Sequence, residues 1–213
     1  MIVNLITNTF KNKFNYPSSC YLESEENNRL TILLTGRDTN GYSKLFKVIL
    51  DASDFNILSI SDPIMIKGSE DKYDKCGNSY PCIVNDGFKR VIFYTGWSFE
   101  SKNRFLNTLC SIEMMDDEYR NKKTNIVIAG KNRQLIYEIG SVDIIRSSDE
   151  YFMYFTKFTK WNNGNPFYQI SLAKSANLET WRELSNFNFI NYPSLEQELI
   201  CRPSLLFRSN KWW

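Results

Sequence analysis

The sequence predicts an all-β fold in which four-stranded antiparallel sheets repeat around an axis, as the blades of a β-propeller do. Three observations support this prediction. Apolar runs end at Thr35, Thr95 and Thr156, at spacings of 60 and 61 residues. Each run is short and rich in Ile, Val, Leu, Phe and Tyr, which favours strands over helices. Self-similarity at a fixed period is typical of repeat architectures.

Each repeat contains four strand-like segments joined by polar turns. The first segments open at Pro17, Pro81, Val142 and Pro203. The second segments are the runs that end at the threonines, and the third span residues 45–50, 105–112 and 167–173. The fourth span residues 57–60, 125–129 and 187–190. An aromatic residue recurs before them as Phe55, Tyr119 and Trp181, which predicts that Trp181 is a packing residue.

The repeat predicts one incomplete propeller domain over residues 1–213, with blades starting near residues 17, 81, 142 and 203. Moving residues 150–152 forward by 61 positions gives residues 211–213, so the sequence ends early in a strand that earlier repeats continue. We therefore expect about three and a half blades, in a fragment that lacks the C-terminal part of the ring. The alternative is a chain that completes its ring with another subunit.

Composition favours a soluble globular protein. Hydrophobic residues make up 42% and aromatic residues 15% of the chain, enough for a packed core, and the net charge of +2 predicts no nucleic-acid partner. Residues 1–10 lack the basic start and apolar stretch of a signal peptide. No run approaches the ~20 apolar residues of a membrane span. We expect a cytoplasmic protein, and its oligomeric state is left open.

Cysteine and histidine usage narrows the chemistry. The five cysteines form no C-x-x-C pair, so we expect free thiols that pack as small apolar groups, and no zinc site. The chain contains no histidine, which removes the usual catalytic triad and most transition-metal sites. We therefore predict no cofactor and no metal ion. Any acid–base catalysis must come from carboxylates.

Acidic residues lie just ahead of the predicted first strands, where a propeller brings its blades together at one mouth of the axial channel. Asp74 lies seven residues before the second opening, and Glu196 and Glu198 lie seven and five residues before the fourth. Asp143 lies inside the opening of its own strand. Glycoside hydrolysis requires one carboxyl group as proton donor and a second as base or nucleophile. These four acids are the candidate catalytic residues. Taken singly, each is slightly better explained as a loop residue, and Asp74 as a turn cap, whereas the cluster taken together favours a catalytic role.

Aromatic and basic residues at the same mouth suit a sugar ligand. Trp97 and Trp161 follow second strands, where an indole ring could stack on a sugar face. Arg37 and Asp38 hold the matching place in the first repeat, and Arg202 directly precedes the fourth opening. A fixed guanidinium can orient a carboxylate, a hydroxyl or a phosphate. The competing interpretation makes the tryptophans packing residues between blades and the arginines structural ion pairs.

Five motifs carry a resemblance to a known family. They are residues 28–38 (Asn-Arg-Leu to Gly-Arg-Asp), 73–77 (Tyr-Asp to Gly), 93–97 (Phe-Tyr-Thr-Gly-Trp), 168–175 (Tyr-Gln-Ile to Ser) and 201–204 (Cys-Arg-Pro-Ser). With them the chain resembles the five-bladed β-propeller glycosidase-like proteins, relatives of the glycosidases of families 32, 43, 68 and 130. The resemblance implies a five-bladed propeller that acts on a bacterial oligo- or polysaccharide.

One departure from this resemblance bears on catalysis. Catalytic members of families 32 and 43 carry an acid directly before the proline that opens an inner strand. The corresponding residues here are Tyr16, Tyr80 and Arg202, and Ser141 precedes the third opening. Only the neighbouring acids listed above can replace that pattern.

Three functional hypotheses follow. The first is a glycoside hydrolase or transglycosylase that uses Asp74 and Glu198, with Asp143 tuning their pKa values through like-charge repulsion. The second is a non-catalytic carbohydrate-binding propeller in surface-polysaccharide assembly, which keeps Trp97, Trp161 and Arg202 but lacks a competent acid pair. The third is a protein-interaction propeller without a sugar site.

Overall fold

The computed structural model describes residues 16–64, 74–85, 87–101, 104–115, 118–123, 128–129, 139–162, 165–184, 202–205, 207–208 and 211–212. Within these ranges, only the backbone is described for residues 16, 100–106, 115–129, 159–167 and 207–212. Every element within these ranges is a β-strand. In chain order the strands are β1 (Tyr16–Glu26), β2 (Arg29–Arg37), β3 (Ser43–Asp51), β4 (Ile57–Ile60), β5 (Gly77–Asn85), β6 (Arg90–Ser101), β7 (Arg104–Met115), β8 (Glu118–Lys123), β9 (Ile128–Ala129), β10 (Ile139–Ser147), β11 (Glu150–Asn162), β12 (Asn165–Ser175), β13 (Trp181–Glu183), β14 (Phe207–Arg208) and β15 (Lys211–Trp212).

The strands form three antiparallel units that follow chain order. Unit 1 comprises β1–β4, unit 2 comprises β5–β8 and unit 3 comprises β10–β13, and within each unit every strand pairs with the next. Strand β9 adds to the edge of unit 3 in parallel with β13, and β14 and β15 form a separate hairpin. The sheets of the described residues do not close into a ring. The predicted all-β class is confirmed, and each of the three units has four strands.

The fourth strand of unit 2 differs from the prediction. Strand β8 takes this place, whereas residues 128–129, which lie in the predicted segment, pair with unit 3 instead. The sequence of β8, Glu-Tyr-Arg-Asn-Lys-Lys, has the charged character of an edge strand. Such a strand is held by backbone pairing, so a search for apolar runs passes over it.

Unit 2 is buried on both faces because units 1 and 3 pack against it. Successive residues of β6 point to opposite faces, so Phe93 joins one apolar cluster while Ile92 and Tyr94 join another. Phe93 packs with unit 3 side chains such as Met153, and Tyr94 packs with unit 1 side chains such as Leu33. This arrangement explains why β6 contains a continuous apolar run rather than an alternating one.

The recurring aromatic positions have different environments. Trp181 is fully buried and lies edge-on to the Phe93 ring, with 5.9 Å between ring centroids. The predicted packing role of Trp181 is therefore confirmed, and it links units 2 and 3. Phe55, its counterpart in unit 1, is 44% exposed and has a positive φ of 60°. The aromatic residue therefore recurs in the sequence at this position, but it is buried in unit 3 and partly exposed in unit 1.

The cysteines largely follow the prediction. Cys76, Cys82 and Cys110 are buried free thiols, whereas Cys20 is a free thiol that is exposed. Cys201 lies outside the described residues. Burial of the first three fits their expected role as small apolar packing groups.

Each first strand contains a β-bulge near its opening. The register shifts between Pro17 and Ser19 in β1, between Ser79 and Cys82 in β5, and between Ile139 and Val142 in β10. Bulges bend a strand and redirect its side chains. The bulges therefore occur where the sequence repeat places its strand openings.

Side chains at equivalent positions of the three first strands converge. Tyr21, Cys82 and Asp143 are spaced by 61 residues, and the Cys82 thiol donates to Asp143 Oδ1 across 3.7 Å. Tyr21 donates to the Ile83 carbonyl at 3.1 Å, and burial raises the pKa of its phenol, with further contributions from the neighbouring Cys82 and Asp143. We call these three side chains the axial cluster. Their contacts show that the first strands of the units lie side by side.

Candidate functional site at the rim

Every first strand opens opposite a second-strand residue that lies one or two positions after the threonine of that strand, and we call this edge the rim. The register pairs Tyr16 with Arg37, Gly77 with Trp97 and Ile139 with Lys157. Because the first strands lie side by side, residues that open them are brought together from distant parts of the chain.

A tyrosine and an arginine from such positions meet at the rim. The Arg202 guanidinium donates to the Tyr80 hydroxyl at 3.1 Å and lies 5.2 Å from the centre of the Tyr80 ring. The two residues are 122 positions apart in the chain. Both precede a proline and both have left-handed backbone, with φ of 53° for Tyr80 and 61° for Arg202. A positive φ is unfavourable for such side chains, so the surrounding contacts must hold it.

Two hydrogen bonds fix the backbone on either side of this arginine. The Arg202 amide donates to Thr156 Oγ1 at 3.0 Å, and the Leu205 amide donates to Asp143 Oδ2 at 2.6 Å. Thr156 is buried and is also bonded to Ser141 Oγ at 3.1 Å. Residues 202–205 are thereby attached to unit 3 at both ends. The exposed Arg202 side chain projects from a fixed point.

A similar hydrogen bond, from a backbone amide before a proline to a side-chain hydroxyl, joins units 1 and 2. The Tyr80 amide donates to Ser19 Oγ at 3.2 Å, and Ser19 Oγ donates to Thr35 Oγ1 at 2.8 Å. In both cases the residue before a proline bonds to a hydroxyl at the rim of the preceding unit. Thr156 therefore anchors residue 202 directly, and Thr35 anchors residue 80 through Ser19. Thr95 Oγ1 is buried without such a partner among the described residues.

A second arginine–aromatic pair lies at the rim between units 1 and 2. The Arg37 guanidinium lies 6.0 Å from the centre of the Trp97 ring, within reach of a cation–π interaction. Trp97 Nε1 donates to Ser43 Oγ at 2.5 Å, and Ser43 Oγ is 2.9 Å from Ser79 Oγ. The indole is half-buried, so part of it is accessible to solvent. The hydrogen bond fixes the orientation of the ring.

Asp74 lies in a buried polar network below the rim. Its side chain is 2% exposed, and Oδ2 accepts hydrogen bonds from Tyr94 OH at 3.0 Å and from Asn78 Nδ2 at 3.2 Å. Its carbonyl accepts the Gly77 amide at 3.0 Å and closes a turn. Burial raises the pKa of the Tyr94 phenol, and the negative charge of Asp74 contributes to the rise. The turn-capping interpretation of Asp74 is thus seen in the geometry.

Asp143 belongs to the axial cluster. Its carboxylate accepts hydrogen bonds from the backbone amides of Ile144 at 2.9 Å and Leu205 at 2.6 Å, and from the Cys82 thiol. Burial raises the pKa of Asp143, and these three donors act in the opposite direction without cancelling the rise. Burial and the charge of Asp143 both raise the pKa of the Cys82 thiol, so it stays protonated at neutral pH.

The raised pKa of Asp143 predicts a pH-dependent stability. The folded state holds the proton more tightly than the unfolded chain, whose aspartate titrates at about 3.9. Above that pH the unfolded state binds fewer protons, so the contribution of Asp143 to stability falls as pH rises towards its folded pKa. The free energy of unfolding of wild type minus that of Asp143→Asn is therefore expected to decrease as pH increases from about 4. Urea titrations of both proteins across this window measure it.

Asp51 provides a control of opposite sign. Hydrogen bonds from the side chain and backbone of Ser53 lower the pKa of this exposed carboxyl. Stability from Asp51 is therefore present above the unfolded pKa and is lost as pH falls through the folded value. The difference between wild type and Asp51→Asn should increase with pH. If the two differences in the free energy of unfolding changed with pH in the same direction, the burial described for Asp143 in the axial cluster would be contradicted.

Comparisons with known sequences identify two uncharacterized proteins of Mycobacterium tuberculosis, from two strains. One is 26% identical over 180 residues, covering 82% of this chain and 60% of its own length, and the other is 27% identical over 177 residues, covering 81% and 58%. This chain therefore spans about 60% of the length of these relatives. No protein-family model matches the sequence.

Solved structures show what the fold is. Xylan β-1,4-xylosidase from Bacillus halodurans superposes with a TM-score of 0.63 at 13% identity, covering 92% of this chain and 36% of that enzyme. A family 117 glycoside hydrolase from Zobellia galactanivorans gives 0.62 at 11% identity, covering 80% and 55%. A family 32 β-fructofuranosidase from Bombyx mori gives 0.59 at 13% identity, covering 92% and 40%. The fold is that of the propeller glycosidases. The resemblance inferred from the sequence motifs is confirmed at this level.

Within this propeller glycosidase fold, the predicted site residues separate into three groups. Arg202, Arg37 and Trp97 lie at the rim in defined contacts. Asp74 and Asp143 have separate hydrogen-bond partners, and no contact between them is seen. Glu196 and Glu198 lie outside the described residues, as does the side chain of Trp161.

Asp38 has a role in the turn that follows β2. Its Oδ1 accepts the backbone amides of Asn40 and Tyr42, both at 2.9 Å, and its own backbone bonds to Gly41 and Tyr42. An aspartate that bonds to amides two and four residues later stabilises a tight turn. This turn supports the position of Arg37 at the strand end.

Sequence reasoning missed Tyr80 as a rim residue. The sequence marks Tyr80 only as a residue that stands before a strand-opening proline in place of an acid, whereas the structure places it against Arg202. The available signal was that Tyr80 and Arg202 both directly precede a strand-opening proline. Equivalent positions in a radial repeat are expected to approach each other.

Among the described residues, no cluster of three or more His, Cys, Asp or Glu side chains is arranged to hold a metal ion. That same part of the chain contains no helix with the length and hydropathy that a membrane span requires.

Proposed function

We propose that this chain binds a carbohydrate at the rim, as a non-catalytic member of the propeller glycosidase fold. One observation carries the proposal: two arginine–aromatic pairs, Arg202 with Tyr80 and Arg37 with Trp97, lie at the edge where strands from distant parts of the chain open. Sugars present apolar C–H faces and a rim of hydroxyl groups. An aromatic ring can contact the former while a guanidinium donates to the latter.

The environments of two predicted catalytic acids favour binding over hydrolysis. A general acid must reach the leaving oxygen, and a nucleophile must reach the sugar ring. Asp74 is buried and accepts hydrogen bonds from Tyr94 and Asn78, and both oxygens of Asp143 accept backbone amides. Either carboxylate would have to exchange existing partners to reach a substrate. Arg202 requires no such exchange because its side chain is exposed.

For the architecture, we propose that units 1–3 are blades of a five-bladed propeller and that residues 202–212 open a fourth blade. The support comes from the bond between Leu205 and Asp143, since it attaches residues 202–205 to the first strand of unit 3. Position 204 follows 143 by the same 61 residues that separate the members of the axial cluster. In a propeller these equivalent positions surround one axis.

Replacing Trp97 with alanine is expected to weaken carbohydrate binding about tenfold, as truncation of an aromatic anchor commonly does. The change removes the ring and releases Arg37. The full chain is screened against immobilised neutral and acidic oligosaccharides, and the tightest ligand is then titrated by calorimetry. Trp97→Phe retains a ring and should retain part of the affinity.

Phe88 supplies the matched control, because it is fully exposed in the turn between β5 and β6, at the other end of these strands. Phe88→Ala should bind like wild type. Absence of binding to every oligosaccharide would refute the proposal, and so would equal binding by the Trp97→Ala and Phe88→Ala variants.

Glycoside hydrolysis or transglycosylation is a second candidate, because the three structures compared above are all glycoside hydrolases. It assigns acid–base roles to Asp74 and Glu198, with Glu196 as an alternative acid and Asp143 modulating them. Release of reducing ends is measured on the same oligosaccharides. Turnover that disappears in Asp74→Asn and Glu198→Gln, with unfolding curves unchanged, would establish this candidate over simple binding.

A further inference from the structure

Arg202 carries a positive charge that no described acid neutralises. Its side-chain contacts within the described residues are the hydroxyl and the ring of Tyr80. Other basic residues of the sheet have acidic partners, such as Arg90 with Glu23 and Lys157 with Glu183. An exposed guanidinium held by an aromatic ring therefore still has donors available for another group.

The backbone around Arg202 is fixed before any ligand binds. The amides of Arg202 and Leu205 are bonded to Thr156 and Asp143, and the Arg202 side chain lies against Tyr80. A side chain held in its binding position loses less conformational entropy when a ligand arrives. An ordinary surface arginine would not need this support.

We propose that Arg202 is the receptor for an anionic group, a carboxylate or a phosphate, on the carbohydrate that the rim binds. This inference rests on the proposed carbohydrate-binding function and adds the class of ligand. A guanidinium presents a planar fork that matches the oxygens of both anions. Tyr80 occupies one part of the fork and positions the remainder towards solvent.

Arg37 strengthens the inference because it brings a second positive charge to the rim. Its guanidinium is exposed and contacts the Trp97 ring, and no described carboxylate forms an ion pair with it. The adjacent Asp38 oxygen already accepts two backbone amides. The rim thus presents a second guanidinium with donors available for an anion, although the net charge of the chain is only +2.

Asp143 and Thr156 act as positioning residues in this proposal. They do not contact the ligand, and they hold the segment from which Arg202 projects. The axial cluster thereby connects the centre of the first strands to the binding edge.

The test is binding of the full chain to three matched sets of oligosaccharides: neutral, uronic-acid-containing and phosphorylated. We expect one acidic set to bind more tightly than the neutral set, with an affinity that falls as salt increases. Arg202→Gln should weaken acidic binding about tenfold or more, as expected for loss of a charge-assisted hydrogen bond. Arg202→Lys keeps the positive charge but lacks the planar fork, so its affinity for the acidic set should lie between those of wild type and Arg202→Gln.

Arg146→Gln is the matched control. Arg146 is also exposed and lies 5.8 Å from the centre of a tyrosine ring, that of Tyr151, but it is near the end of β10 away from the rim. It should bind acidic oligosaccharides like wild type. A similar loss in Arg146→Gln and Arg202→Gln would show a general effect of charge and overturn the assignment.

The outcomes separate this inference from the function on which it rests. Binding to neutral oligosaccharides that is unaffected by Arg202→Gln would overturn the anion site and leave carbohydrate binding intact. Binding to no oligosaccharide would overturn both. A preference for uronic acids or for phosphorylated sugars identifies which anion is recognised, and either one supports the proposal.

Discussion

Replacing Trp181 with alanine is expected to lower the free energy of unfolding by about 3–5 kcal/mol, the usual range for truncation of a buried aromatic residue. The indole is fully buried against Phe93, at the interface of units 2 and 3. Its Nε1 also donates to the Leu178 carbonyl at 3.2 Å. The substitution thus leaves a cavity and an acceptor without its donor. Urea unfolding followed by circular dichroism measures the loss.

Phe55 is the natural control because it holds the corresponding place in the sequence repeat but is 44% exposed. Phe55→Ala should change stability by no more than about 0.5 kcal/mol. Trp181→Phe should cost less than the alanine variant because it fills part of the cavity. Equal losses in Trp181→Ala and Phe55→Ala would contradict the packing described for unit 3.

A Gly77→Ala substitution is expected to destabilise the protein by about 3 kcal/mol or more, through strain and a collision with the backbone. Gly77 has a φ of 144°, and an added Cβ would lie 2.3 Å from the Ser43 carbonyl oxygen and 2.6 Å from the Ser43 nitrogen. Gly77 pairs with Ser43 in the one bridge that joins units 1 and 2 in parallel. Main-chain atoms cannot move aside there without breaking that bridge.

Gly41→Ala separates the two causes. Gly41 also has a positive φ, 83°, but an added Cβ there would meet no atom within 4 Å. This variant should cost only the backbone strain, about 1 kcal/mol. The Gly77 variant should in addition shift Trp97, whose indole is bonded to Ser43, and the change is measurable as altered tryptophan fluorescence. If both alanine variants melted alike, the close approach of Gly77 to Ser43 would be refuted.

Much of the fold could be predicted because the features that define it repeat in type as well as in position. Thr35, Thr95 and Thr156 are all buried within second strands. The prediction that the strands end at these threonines is wrong for β6 and β11, which continue to Ser101 and Asn162, so Trp97 and Trp161 lie within these strands rather than after them. The apolar runs of β2 and β6 appear in sequence because both faces of these strands are covered, whereas burial alternates along the run of β11. The charged strand β8 could not be found this way, since backbone pairing to a neighbour leaves no apolar signature.

The site was harder to predict for a related reason. Tyr21, Cys82 and Asp143 occupy equivalent positions, but their residue types differ and only the strand register brings them together. Asp74 was proposed from its distance to a strand opening, and distance along a loop does not determine whether a carboxylate is exposed. Tyr94 and Asn78, which bind it, come from two different strands.

The axial cluster also limits how this fold can be rearranged. A tyrosine, a thiol and a carboxyl group share a poorly hydrated centre, and burial raises the pKa of all three. A chain assembled from three copies of unit 3 would place three aspartates there, and their mutual repulsion would oppose assembly. Three copies of unit 1 would instead crowd three phenol rings into the space now shared with a small thiol. The units are therefore no longer interchangeable, and each has a fixed place in the order.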